Sequence, residues 1–224
     1  LAEGTATRAG LGALLVIDPG GATTDVHSVC SGEPTQAGVI TRGLPEPRVK
    51  RSVEGDLGMR INALAIQEAV GTAALAQDAG LAPERVVGLL AEISADVERL
   101  PVSGDELALD RALVRAAIRL AALRHAGSVE TVFTATGPVT VQRGKDLGKV
   151  ETVIGTGGAL VHSPDPRAIL EVVQADAANP FSLRPLRPKY YLDTQYVLYA
   201  CGLLSQAEPD LALDLALGHL KPLQ

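Results

Sequence analysis

The sequence has no tryptophan, and aromatic residues make up only 3% of its 224 residues. Rings on which nucleobases could stack are therefore scarce, which argues against a single-stranded nucleic-acid binder. Basic residues are in deficit: 20 Lys and Arg stand against 26 Asp and Glu, a net charge of −6. Contacts to a phosphate backbone need the opposite imbalance, so no nucleic-acid partner is expected. No apolar run approaches the roughly 20 residues that span a bilayer, so no membrane partner is expected either. The two cysteines, Cys30 and Cys201, lie too far apart for a disulfide framework or a metal knuckle. The chain opens on Leu1 and its one methionine is Met59. It is therefore read as a piece of a longer or processed chain. Nothing at the start has the basic-then-apolar order of a signal segment, and a reducing cytoplasm is the expected compartment.

What is present is a globular composition. Hydrophobic residues reach 46% and charged residues 21%, which excludes a disordered chain. The length suits one domain or two small ones. Residues 1–12 are rich in Gly, Ala and Thr and read as a linker or fraying end. Residues 13–18 (ALLVID) form an apolar run stopped by Pro-Gly-Gly, the pattern of a buried strand. Residues 23–29 alternate and read as the returning strand of a hairpin, and residues 38–42 as a third strand. Helices are expected over 57–76, over 83–100 with Pro83 in the first turn, and from Ser103 to about His125. Ser103 and Glu106 have the spacing of a capping box. Leu109, Leu113, Ala116, Leu120 and Leu123 share one face of that helix. Strands follow at 129–135 and 151–154, a helix from Pro164 or Pro166 to about Ala177, a proline-rich surface crossing at 178–192, and helices at 194–204 and 209–220. The order of elements predicts an α/β fold.

Two glycine loops carry most of the chemical signal. In the first, a buried strand delivers Asp18, and Gly20 and Gly21 let the backbone turn with N–H groups free for an anion. Thr23 and Thr24 add hydroxyls, and Asp25 adds a carboxylate seven residues after the first. Two carboxylates and a set of backbone donors suit a phosphate with its Mg2+. The same residues also suit a tight hairpin whose acidic side chains cap the turn. The second loop, Gly155-Thr156-Gly157-Gly158, follows a strand and precedes a helix whose first N–H groups point at a ligand or merely close a packed turn. It is not a dinucleotide fingerprint, since Leu160 stands where the third glycine belongs. Nor is there a P-loop: Gly144-Lys145 is followed by Asp146, and Val139 occupies the leading glycine position.

Other features point to structure. Arg111, Arg115 and Arg119 form one stripe at i, i+4 and i+8, a solvated face unless it overlooks a ligand. His27, His125, His162 and His219 have no metal-ligand spacing. No serine, zinc-protease or cysteine nucleophile pattern is present.

The stretch from Asp18 to Asp25, DPGGATTD, resembles the second phosphate motif of the actin, sugar-kinase and heat-shock-seventy ATPase superfamily, which reads Asp-x-Gly-Gly-Gly-Thr-x-Asp. GTGGA at 155–159 is similar to that superfamily's adenosine motif. The resemblance is closest to the GlmL/MutL-type accessory ATPases of adenosylcobalamin-dependent glutamate mutase, which are unrelated to the mismatch-repair protein of similar name. It extends over DPGGATTDVHSV, GLPEPRVKRSVEGDLGMR at 43–60, RHAG at 124–127, VIGTGGALVHSP at 153–164 and YYLDTQYVLYACGLL at 190–204.

This resemblance implies a ribonuclease-H-like mixed sheet with flanking helices over 13–224, the C-terminal half of an actin-like ATPase, with a mostly helical insertion at about 57–126. It implies that ATP or ADP and Mg2+ are the cofactors and that a mutase is the protein partner, served by ATP-driven release of damaged cobalamin. Asp18 would hold Mg2+ through water and Asp25 would support the loop or the metal, the pair acting in catalysis. Gly20, Gly21, Ala22, Thr23 and Thr24 would line the β- and γ-phosphates, and Gly155, Thr156, Gly157 and Gly158 the adenosine and α-phosphate. Ala22 departs from the superfamily's third glycine. Glu54 and Asp56 lie in a typical stretch without an assigned role. No first phosphate motif precedes Asp18, so the missing N-terminal half is itself an expected partner, and this half alone is expected to bind ATP weakly without hydrolysing it. A hydantoinase or oxoprolinase-type ATP-dependent amidohydrolase and a non-catalytic scaffold or filament relative remain alternatives.

Overall fold

The computed structural model describes residues 1–135 and 137–224. In chain order its elements are β1 (Leu14–Pro19), β2 (Thr24–Val29), β3 (Ile40–Thr41), β4 (Val49–Glu54), α1 (Ala63–Val70), α2 (Thr72–Ala79), α3 (Pro83–Ala95) and α4 (Gly104–His125). There follow β5 (Ser128–Thr134), β6 (Gly137–Arg143), β7 (Thr152–Gly155), α5 (Gly158–Val161), α6 (Pro166–Leu170), β8 (Lys189–Asp193), α7 (Leu198–Leu204), α8 (Pro209–His219) and β9 (Leu220–Leu223). One sheet has the order β4-β2-β1-β7-β8-β9 and a smaller one β3-β6-β5. In the large sheet β1, β2 and β4 form an antiparallel meander, and β7 and β8 continue from β1 in parallel. This is the ribonuclease-H-like half of an actin-like fold that the resemblance implied.

Burial explains the strand pattern. Leu15 and Ile17 of the central β1 are fully buried, as are Val153 and Ile154 of β7. In β2 the alternation is strict: Thr24, Val26 and Ser28 face inward and Asp25, His27 and Val29 outward. The helix α4 starts at the expected capping box, in which the Ser103 hydroxyl accepts the Glu106 N–H and the Glu106 carboxylate accepts the Ser103 N–H. It buries Leu109, Leu113 and Ala116 as expected, and also Val114, Ala117, Ile118, Ala121 and Ala122. Its alanines allow a close approach on both sides, so α4 is enclosed between the sheet and the α1–α3 block in one continuous core.

Several expectations are revised. Residues 57–62 are not helical; the helical block begins at Ala63 and is broken at Gly71, whose φ is +85°. Strands β4, β6 and β9 were not foreseen. The stretch 178–192 is no mere surface crossing: it holds most of β8, with Tyr190 and Leu192 buried. Residues 1–12 fold against α8, with Thr5 and Thr7 hydroxyls donating to Asp210 and Arg8 paired with Asp214. Among the described residues no helix is long and apolar enough to cross a membrane.

His125, at the end of α4, lies wholly buried against two strands. Its Nε2 meets the Ser28 hydroxyl and its Nδ1 the Ser52 hydroxyl, both at 2.8 Å. Burial, with the nearby Lys50 and Lys145 charges, pushes its pKa down to about 3. In the unfolded chain the same ring takes a proton near the usual value of about 6.5. Between those values the unfolded state binds the extra proton, so acidification costs stability, by up to about 1.4 kcal/mol per pH unit. Urea unfolding at pH 7 and pH 4 should therefore show a larger loss in the wild type than in His125→Gln, and equal losses would contradict this.

Candidate functional site

The first glycine loop joins β1 to β2. The register sets Asp18 opposite Asp25 and Pro19 opposite Thr24. The turn closes with the Gly20 N–H donating to the Thr23 carbonyl at 2.8 Å. Its remaining carbonyls are taken by the segment after β4. Met59 N–H reaches the Gly20 carbonyl at 3.1 Å, and Arg60 and Ile61 N–H groups reach that of Gly21 at 2.9 and 3.0 Å. The Asn62 amide donates to the Ala22 carbonyl at 3.0 Å and to that of Gly55 at 2.8 Å. Gly58 lies so close that a Cβ there would collide with the Ala22 carbonyl.

In a trans peptide the N–H points opposite to the carbonyl of the preceding residue. With the carbonyls of Gly20, Gly21 and Ala22 directed at residues 59–62, the N–H groups of Gly21, Ala22 and Thr23 are directed away. Among the described residues no protein acceptor takes these three. Successive free amides of this kind form an anion cradle. Ala22 fits it without strain, since its φ is not positive. The glycines at 20 and 21 likewise do not have positive φ; they keep the turn narrow, with only the Arg60 stem beside Gly21.

The segment that holds the loop is itself held by α4. Arg124 pairs with Glu54 at 2.8 Å and with both oxygens of Asp56 at 2.7 and 2.8 Å, and Arg60 pairs with Asp110. Glu54 and Asp56 thus acquire the role that sequence reasoning did not assign. The Arg stripe has a different place: Arg115 binds Asp78 of α2 at 2.9 Å and the Ala168 carbonyl, Arg111 reaches the Asp78 carbonyl, and among the described residues none of the stripe bonds to a glycine loop.

The second loop ends β7. Because β1 and β7 are parallel neighbours, with Ile17 opposite Gly155, both loops leave the same edge of the sheet. The Thr156 N–H donates to the Ile17 carbonyl at 3.0 Å. Gly157 has φ +91°, and a Cβ there would lie 2.6 Å from Asp18 Oδ1. Only glycine satisfies both conditions. Gly155 is packed against Leu160 and Leu170. The helix after the loop, α5, has only four residues, so its dipole offers less than the sequence led one to expect.

A third strand end completes the edge and was missed from sequence. Asp193, fully buried at the end of β8, accepts the Thr156 hydroxyl at 3.0 Å and the N–H groups of Val197 and Leu198 at 3.1 and 3.0 Å. An Asp that closes a strand five positions before a helix was the available signal. The hydroxyls of Thr24 and Thr156 are thereby accounted for, the former donating to the Leu57 carbonyl at 2.7 Å.

The three carboxylates at this edge differ. Asp25 is held by Arg51 at 3.0 and 2.8 Å and by the Thr23 hydroxyl at 3.0 Å. Asp193 has its three donors. Asp18 has none among the described residues. Burial first, then the Asp25 and Asp193 charges, hold its carboxyl above the ordinary range. A divalent cation would relieve both effects. Among the described residues no group of three His, Cys, Asp or Glu side chains is placed to hold a metal. A cation at Asp18 would therefore keep most of its shell as water or ligand oxygen, as Mg2+ characteristically does.

A carboxylate whose folded pKa is raised is tolerated when protonated and costs stability once pH rises through that pKa. In metal-free buffer Asp18→Asn should therefore melt above the wild type at pH 7, and the two should converge as the pH falls into the carboxylate range. A gap that is absent at neutral pH, or unchanged by acid, would contradict this reading of Asp18.

Both glycine loops, the segment that holds the first of them and the Asp193 turn lie within the stretch that known proteins match. A family profile described as MutL protein covers residues 1–220. Protein MutL of Clostridium tetanomorphum is 44% identical over 223 residues, 98% of this chain and 48% of that protein. The chain thus spans about half the length of this curated relative. By extent and identity together, the chain belongs to the MutL protein family.

Proposed function

We propose that this chain is the phosphate-holding half of an ATP-dependent accessory protein for adenosylcobalamin-dependent glutamate mutase, and that the intact protein works in the cytoplasm to release damaged cobalamin from the mutase. Family membership and the resemblance of the two glycine loops to ATPase motifs support the reading. The observation that carries it is the approach of Gly157 to Asp18, which brings two loops 139 positions apart in sequence to one edge of the sheet.

In this reading the N–H groups of Gly21, Ala22 and Thr23 receive phosphate oxygens. Asp18 holds Mg2+ through water, and the ion offsets charge on the β- and γ-phosphates. Asp25, fixed by Arg51 and Thr23, keeps the hairpin in register rather than reaching the ligand. Gly157 and Gly158 leave room beside Asp18 for the nucleoside end. Hydrolysis needs donors and a water-orienting group on the far side of the transferred phosphoryl group, which the rest of the intact protein supplies.

Calorimetry with Mg-ATP on this chain should accordingly give weak binding, with a dissociation constant of roughly 10 μM to 1 mM, and no steady hydrolysis. Sub-micromolar affinity or sustained turnover would contradict the half-site claim, and no binding at millimolar nucleotide would contradict the nucleotide reading. Gly157→Ala, which sets a methyl against Asp18, should weaken the binding at least about tenfold.

A further inference from the structure

Contacts link the three parallel strand ends in series. Gly157 lies on Asp18, the neighbouring Thr156 hydroxyl reaches Asp193, and Asp193 organises the turn that leads into α7. Tyr196 sits in that turn, its N–H donating to the Asp193 carbonyl at 3.2 Å. It is the one non-glycine residue with positive φ among the described residues, at +54°. A bulky side chain is unfavourable there and persists only where its surroundings impose it. Here the imposing group is the Asp193 carboxylate, which fixes Val197 and Leu198 immediately after it.

The strain is not repaid by packing. Tyr196 is 48% exposed, and its ring only leans on that of Tyr199, 6.0 Å away and tilted by 55°. Its hydroxyl has no hydrogen-bond partner among the described residues. The Asp18 charge is the largest influence on the phenol and pushes its pKa up, so the group remains an O–H donor at neutral pH. Through Gly157, Thr156 and Asp193, the turn that carries this unpaired donor is placed at the same strand ends as the unpaired Asp18 carboxylate.

We propose that Tyr196 is a positioning residue of this site, its phenolic O–H donating to a water or phosphate oxygen in the shell of a cation held at Asp18. The proposal rests on the cation part of the functional reading and not on ATP. A Tb3+ titration of this chain tests it, since tyrosine excitation sensitises terbium emission only at short range and the protein has no tryptophan. Emission should appear in the wild type, vanish in Asp18→Asn, fall severalfold in Tyr196→Phe and survive in Tyr191→Phe. Calorimetry should show Tb3+ affinity weakened about tenfold by Tyr196→Phe, the size of one hydrogen bond to a charged shell. Thermal melts identify a variant that has lost its fold, and Tyr196→Asn, a residue at ease with positive φ, then repeats the test. Emission or affinity unchanged by Tyr196→Phe would overturn the assignment. So would a wild type that binds no Tb3+, an outcome that calorimetry with Mg-ATP separates from failure of the nucleotide reading.

Discussion

The capture of three loop carbonyls by residues 59–62 is the constraint on which the site depends. A hairpin turn left to itself would satisfy its own polar groups or expose them to water indiscriminately. Here the protein binds the acceptors and leaves the donors, so the loop presents only positive dipole ends. Everything that fixes residues 54–62 therefore fixes the site: Gly58, which permits the close approach, and Arg124 and Asp110 of α4, which hold the segment to the helix.

The sheet supplies the second condition. Parallel pairing of β1 with β7 and of β7 with β8 sends three loops off one edge, the position at which open α/β sheets bind ligands. The charges are graded across that edge. Asp25 and Asp193 are held by donors and serve as anchors, and among the described residues at that edge Asp18 is left as the one carboxylate without a donor. A fixed acid beside free amides suits an anion that arrives with its own cation, and neither component alone satisfies both sets of groups.

Much of this was legible in local sequence. The apolar run into Asp-Pro-Gly-Gly, the Ser103 and Glu106 box and the strand before Gly155 are signals contained within a few residues. What sequence reasoning missed depended on distant partners. Strand β4 alternates Val49 and Val53 with Lys50, Ser52 and Glu54, but its valines face outward and its polar residues inward, toward α4, inverting the usual signal. Residues 57–62 look helical by composition, yet the N–H groups of Met59, Arg60 and Ile61 are drawn to the first glycine loop. Strand β8 was hidden by Pro185 and Pro188 ahead of it. The φ of Tyr196 is imposed by Asp193 and has no mark in the sequence.

The central claim is that two loops distant in the chain close on one nucleotide. A crystal structure of the chain with Mg-ADP tests it most directly. The account predicts the diphosphate on the N–H groups of Gly21, Ala22 and Thr23, the ion beside Asp18 and the nucleoside leading past Gly157. Nucleotide bound away from that edge, or touching one loop without the other, would contradict it.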